Sequence, residues 1–216
     1  MSSPVLMTAQ IEGEVRQALT EVLEDARRYG HLGPGPLDPQ IDRSLALCDA
    51  VDPPASGTIV DLGSGGGLPG LVMAAAWPGT TWLLLDGRAL RAAFLHDAVA
   101  RLGWAQQVSV LGARAERAGR GPLRHRSPLV VARGFGPPGV TAECASPFLR
   151  PGGHLVVTDP PGGDDYRWPD EGLATVGLVR HRAVVDPVAF QVFRQRTACP
   201  ERYPRRVGVP AKQPLF

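Results

Sequence analysis

The chain predicts an α/β fold, a mostly parallel, doubly wound sheet of Rossmann-like type, and three observations carry that prediction. Residues 58–62, Thr-Ile-Val-Asp-Leu, are a short β-branched and apolar run bounded by glycine, the pattern of an inner parallel strand. The run breaks into a loop with glycines at 63, 65 and 67 and then into an apolar helical stretch, residues 67–77. A second apolar strand, residues 81–86, follows and closes on Asp86, about twenty residues past the first glycine, where an acid accepts hydrogen bonds from ribose hydroxyls. Strand, glycine loop, helix, strand and acid in this order form a nucleoside-binding unit.

At 216 residues the chain suits one sizeable core, so a single α/β domain with terminal additions is expected: a helical extension over 1–52, the main domain over 53–198 and a basic, proline-rich tail over 199–216. The apolar fraction of 44% and charged fraction of 20% are ordinary for a soluble protein. A net charge of +2 conceals two arginine-rich stretches. Arg114, Arg117, Arg120, Arg124 and Arg126 stand with one acid, Glu116; Arg194, Arg196, Arg202, Arg205, Arg206 and Lys212 stand with Glu201. Lys212 is the only lysine. Guanidinium groups suit phosphate contacts and stacking on bases, so these stretches are either solvated faces or nucleic-acid contacts. Cys48, Cys144 and Cys199 lack the spacing of a zinc or redox site, and no metal site is expected. With no leader and no apolar run long enough to span a bilayer, the expected location is cytoplasmic, without membrane attachment.

The elements follow in order. Residues 8–29 place Ile11, Val15, Leu19, Val22 and Ala26 at helical spacing, an amphipathic helix that packs on the domain. Residues 30–36 are a breaker-rich connection and 39–51 a second helix. After Asp86, residues 89–102 present Leu90, Ala93, Phe94, Ala98 and Leu102 on one helical face, and 108–111 begin the third strand. Ala115 and Glu116 lie beyond its carboxyl end, which lines the ligand crevice in a doubly wound sheet, a position to meet an adenine; an ordinary strand-to-helix turn fits the pattern equally. Residues 128–132 are the fourth strand, and it delivers Arg133 and Phe135 to the place where an acceptor faces the cofactor. There an arginine suits oxygens and a phenylalanine suits a stacked base; a buried structural Phe135 fits the pattern equally. A helix over 141–149, a turn and a fifth strand ending at Thr158 follow. Asp159-Pro160-Pro161-Gly162 resembles the Asp-Pro-Pro-aromatic motif of amino-group methyltransferases but follows the wrong strand and ends in glycine, so it is taken as a polar loop running on to Tyr166. Residues 176–186 and 189–197 make the closing antiparallel pair, seven strands in all, and the tail has too many prolines for regular structure and is expected along the surface.

The cofactor is decided by Asp61. Gly65-x-Gly67-x-x-Gly70 also satisfies a dinucleotide pattern. A carboxylate at the strand end would repel a pyrophosphate by on the order of 1 kcal/mol or more at surface-like dielectric. S-adenosylmethionine instead brings an ammonium and a sulfonium, which an acid attracts. The loop is therefore assigned to S-adenosylmethionine.

Taken together, Asp61-Leu-Gly-Ser-Gly-Gly-Gly-Leu68-Pro-Gly70, Leu-Leu-Leu-Asp86, Arg91-x-x-Phe94-Leu95, Arg114-Ala-Glu116, Ala132-Arg133 and the ending Tyr203-Pro-Arg-Arg-x-Gly-x-Pro-x-Lys-x-Pro-Leu resemble the RsmG (GidB) family. The resemblance runs from about residue 44 to the end. It implies a class I methyltransferase fold with an antiparallel edge strand, S-adenosylmethionine as cofactor, and methylation of N7 of a guanosine in small-subunit ribosomal RNA. Ribosomal RNA or the small subunit is the implied partner. It implies Gly63, Leu68, Ala115, Glu116 and Arg133 as cofactor contacts; Asp61, Gly65, Gly67 and Asp86 join them from the loop reading. Arg133 and Phe135 are the substrate-side candidates, and no residue is assigned as catalytic acid or base. Two segments depart from the family: 30–36 replaces an Asn-Leu-Thr segment, and Thr158-Asp159 replaces lysine-glycine, both expected to border the substrate entrance. A paralogue acting on a small metabolite, or a degenerate fold that only binds RNA or protein, are the alternative functions.

Overall fold

The computed structural model describes residues 11–160, 165–184 and 188–216. Seven strands form one sheet in the order β3-β2-β1-β4-β5-β7-β6. They are β1 (Thr58–Leu62), β2 (Thr81–Asp86), β3 (Val108–Gly112), β4 (Ser127–Ala132), β5 (Leu149–Thr158), β6 (Leu178–Val184) and β7 (Phe190–Gln195). The first five run parallel, and β7 runs antiparallel between β5 and the outermost β6. The chain starts in the middle at β1, moves outward through β2 and β3, and returns to β4 on the other side. That reversal opens a crevice between the carboxyl ends of β1 and β4, where such sheets bind ligands.

Both faces of the sheet are covered, which is why its central strands are apolar almost throughout. Side chains alternate between faces along each strand. Ile59, Trp82, Leu84, Val131 and Val156 therefore join one core with helices α1 (Gly13–Arg28), α2 (Asp38–Ala46), α3 (Gly70–Ala76) and α4 (Ala89–Arg101). Val60, Leu62, Leu83, Leu85, Val130 and Leu155 join the other, with α5 (Ala115–Ala118) and α6 (Pro138–Ala145). Among the described residues no helix is long and apolar enough to cross a membrane.

Three places differ from the sequence expectation. Helix α3 begins at Gly70 rather than at 67, because residues 64–69 are held in turns and the Gly70 amide is taken by a side chain of β1. A short helix, α7 (Asp170–Ala174), stands between the polar loop ending at Tyr166 and the strand expected from 176, where no element was expected, with Leu173 buried. The tail is more than a surface strip: Cys199 is buried in the second core, Tyr203, Leu215 and Phe216 are partly buried against it, and 209–212 form the helical turn α8 (Val209–Lys212). Phe216 packs on the buried Trp168, and its backbone fills the space a Cβ on Gly139 would need, 2.7 Å from the carbonyl oxygen.

Truncation before Leu215 tests that docking. Loss of Leu215 and Phe216 should lower stability to urea by about 1–3 kcal/mol, the scale for losing partly buried large apolar side chains. A tail lying on the surface predicts an unchanged midpoint.

Candidate functional site

The site is built on Asp61, which sits one residue before the end of the central strand β1 and is 0% exposed. Its Oδ2 accepts a hydrogen bond of 3.1 Å from the Gly70 amide at the start of α3. Only glycine fits there, since a Cβ at 70 would stand 2.4 Å from that oxygen and 2.6 Å from Leu84. Oδ1 is buried with no partner among the described residues. Burial pushes the carboxyl up to about 7, offset only in part by the Ser64 hydroxyl and the Gly70 amide.

The loop between these two residues leans toward β2. The Gly65 amide donates to Asp86 Oδ2 at 3.0 Å, with φ of +58° at Gly65, a conformation other residues resist. Asp86 Oδ1 accepts from the Arg88 amide at 2.8 Å, and Arg91 Nη1 stands 3.9 Å from Oδ2. A carboxylate has about four lone-pair sites, so Asp86 retains capacity for hydroxyl donors. Gly63 lies under the ring of Phe135, 2.6 Å from where its Cβ would be, and Gly67 lies on Leu71. Leu68 is buried in the first core. The segment 30–36 borders this loop: Leu32, with Ala26 of α1, presses on Gly66, and the His31 carbonyl faces Gly65.

Beyond β3, Ala115 and Glu116 open α5 and are both buried. Glu116 Oε1 accepts from the Gly208 amide at 2.9 Å and stands 3.4 Å from Arg114 Nη2. Burial alone would raise this carboxyl, but those donors hold it below the usual range.

Across the crevice, Arg133 follows β4. Its Nη2 donates to Gln40 of α2 at 2.9 Å, while Nη1 is buried without a partner among the described residues. Burial and the nearby Arg43 pull its pKa down; Asp61 acts in the opposite direction. Arg133 also lines a cavity of about 420 Å³ with Arg43, Ser44, Thr158, Asp159 and Ala189. Thr158 and Asp159 thus stand beside Arg133 at that cavity. Asp159 itself is committed, accepting from Arg167 at 2.8 Å, Gln191 at 3.2 Å and the Trp168 indole at 3.3 Å. Pro161 and Gly162 of the Pro-Pro motif lie outside the described residues.

The arginine stretches divide in two. Arg120 and Arg124 donate to carbonyls of Cys199, Pro200, Arg202, Tyr203 and Pro204, and Arg205 holds Glu143, so they bind the chain to itself. The side chains of Arg117, Arg126, Arg194, Arg196, Arg206 and Lys212 have no hydrogen bond or ion pair among the described residues, and all are exposed. Gln40, Arg43 and Glu143 escaped the sequence reading. A lone acid in an otherwise apolar helix, opposite an arginine-rich tail, was the signal available for Glu143; Gln40 carried none. The three cysteines are buried and free, and burial raises each thiol, which makes them poor nucleophiles. Among the described residues no cluster of His, Cys, Asp and Glu is placed to hold a metal ion.

Residues 37–159 match the family model described as rRNA small subunit methyltransferase G (GidB). The ribosomal RNA small subunit methyltransferase G of Syntrophomonas wolfei is 32% identical over 192 residues, covering 84% of this chain and 87% of that protein. Its counterpart in Moorella thermoacetica is 33% identical over 184 residues, with 80% and 75% covered. In structure the chain is similar to a Corynebacterium glutamicum protein from structural genomics (TM-score 0.58, 19% identity, 84% and 90% covered). It is also similar to a geranyl diphosphate methyltransferase solved with S-adenosylmethionine (TM-score 0.57, 15% identity, 72% and 85% covered). At these identities the structural likeness is one of fold.

Asp61 ionises near 7 in the folded chain against 3.8 ordinarily, so between these values the folded state keeps a proton that the unfolded chain releases. Stability from this group therefore falls as pH rises from about 4 to about 7. Asp61→Asn retains an acceptor for the Gly70 amide and should flatten that part of the profile, measured as urea midpoints from pH 5 to pH 8. Parallel curves for the two proteins would show that Asp61 does not titrate there.

Proposed function

We propose, for a chain that belongs to the rRNA small subunit methyltransferase G (GidB) family, that this S-adenosylmethionine-dependent rRNA methyltransferase transfers its methyl group to N7 of a guanosine in small-subunit ribosomal RNA. One observation carries the assignment of the site: among the described residues a buried unpartnered acceptor, Asp61 Oδ1, stands on β1 and a buried unpartnered donor, Arg133 Nη1, just past the end of β4, the two strands that flank the switch point. An α-amino acid offers the complement, an ammonium for the first and a carboxylate for the second. The residues fit the methionine end of the cofactor.

When bound, the cofactor supplies a methyl group made electrophilic by its sulfonium. On this reading Asp61 gives up its proton and is held ionised beside a cation, Asp86 accepts from the ribose hydroxyls, and Ala115 and Glu116 flank the adenine. Gly63, Gly65, Gly67 and Leu68 shape the loop that lies along it. Guanine N7 carries a lone pair and no proton at neutral pH, so no residue is needed as general base. What the chain contributes is alignment and exclusion of water, which can be worth ~7–11 kcal/mol. The cavity beside Arg133 receives the base; Phe135 does not line that cavity and lies over Gly63 of the loop instead. The exposed Arg117, Arg206 and Lys212 meet phosphates, giving salt-dependent affinity. The location is cytoplasmic, where ribosomal RNA is found, and residues 53–198 form the methyltransferase domain, elaborated by 1–52 and 199–216.

Calorimetric titration with S-adenosylhomocysteine should give binding in the wild type. Arg133→Ala should weaken it about tenfold or more, as expected for a charged partner removed from a buried site. Unchanged affinity and unchanged methyl transfer in that variant would remove Arg133 from the site. Guanosine N7 methylation mapped in ribosomal RNA from a deletion strain should be lost at one position; an unaltered pattern refutes the acceptor.

A further inference from the structure

Residues 199–216 cross the face of the sheet that carries α5 and α6, and two carboxylates hold them there. Glu143, within α6, is 0% exposed. Arg205 satisfies it fully: the main-chain amide donates to Oε1 at 2.7 Å, Nε to Oε1 and Oε2 at 2.9 and 3.1 Å, and Nη2 to Oε2 at 2.6 Å. Nη2 also donates to the Gln213 carbonyl at 2.6 Å, so one guanidinium ties both sides of α8 to α6. Three residues after Arg205, the Gly208 amide donates to Glu116 Oε1. Glu116 in turn pairs with Arg114. Arg114 lies over Gly87, the residue after Asp86, with its Cδ 2.7 Å from where a Cβ on Gly87 would stand. A continuous series of contacts thus leads from Glu143 through the tail to the carboxyl ends of β2 and β3.

The apolar anchor of the tail is elsewhere, at Leu215 and Phe216. A buried ion pair adds little net stability over apolar residues of the same volume. What Glu143 and Arg205 provide is direction, since a bidentate fork admits one geometry. We propose that Arg205 is a positioning residue for the adenosine half of the cofactor site: clamped on Glu143, it sets the Gly208 amide on Glu116 and thereby fixes residues 114–116 against Gly87 and Asp86. The inference rests on the assignment of Asp86, Ala115 and Glu116 to the cofactor.

The full-length chain is titrated with S-adenosylhomocysteine and with its 6-oxo analogue, S-inosylhomocysteine, and the two Kd values are compared. Arg205→Ala should raise the Kd for S-adenosylhomocysteine about tenfold and bring the ratio between the two ligands toward one. Because that variant leaves Glu143 buried without its cation, with only the main-chain amide of residue 205 as partner, Glu143→Gln with Arg205→Met removes both charges at similar volume and should show the same loss of discrimination in a folded protein. Variants that melt at lower temperature but keep the wild-type Kd and ratio reduce the clamp to a structural role and overturn the proposal. A wild type that binds neither ligand refutes the cofactor assignment itself, and the inference falls with it.

Discussion

The cofactor end of this sheet depends on one carboxylate removed from water and given half of its partners. Asp61 lies between β2 and β4, where no solvent reaches it. The Gly70 amide is its one polar partner on Oδ2, and the same bond sets where α3 starts and how residues 63–69 must arch between them. Leaving a buried acceptor unmet costs about 1–3 kcal/mol. Such a cost persists where the group serves a ligand, and the unpartnered Nη1 of Arg133 on the adjoining strand has the opposite polarity. An amphoteric ligand answers both.

The second constraint is the tail. Its arginines and those of 114–126 look like nucleic-acid contacts when counted along the chain, yet Arg120, Arg124 and Arg205 spend their donors on internal carbonyls and a buried acid. A guanidinium has five donors in a fixed fork, which suits irregular, proline-rich backbone that lacks partners of its own. The charge left unpaired among the described residues is carried by fewer side chains, and these are exposed.

Much of the fold was legible because apolar strands between turn residues leave few alternatives. Residues 58–62 and 81–86 are strands over the whole of the stretch expected. The helix after the glycine loop starts three residues late because a side-chain acceptor, invisible to periodicity, intercepts the Gly70 amide. The tail misled for a related reason. Proline content speaks against regular structure and says nothing about burial, and the tertiary contacts of Tyr203 and Phe216 decide the latter. The places of Asp61, Asp86 and Arg133 at the carboxyl ends of strands were legible from the sequence, whereas Gln40 and Glu143 sit in ordinary helices.

By itself the sequence determined which groups the carboxyl edge of the sheet would carry: strand ends and a glycine loop place Asp61, Asp86, Glu116 and Arg133 there by local rules of backbone and spacing. Only the tertiary structure decided what each group is bound to. Asp61 keeps a free oxygen, Asp86 takes the Gly65 amide, and Glu116 takes an amide from 92 residues away. The reason is physical. Spacing sets where a side chain is delivered, while its protonation and its remaining capacity for a ligand depend on burial and on partners brought from distant parts of the chain.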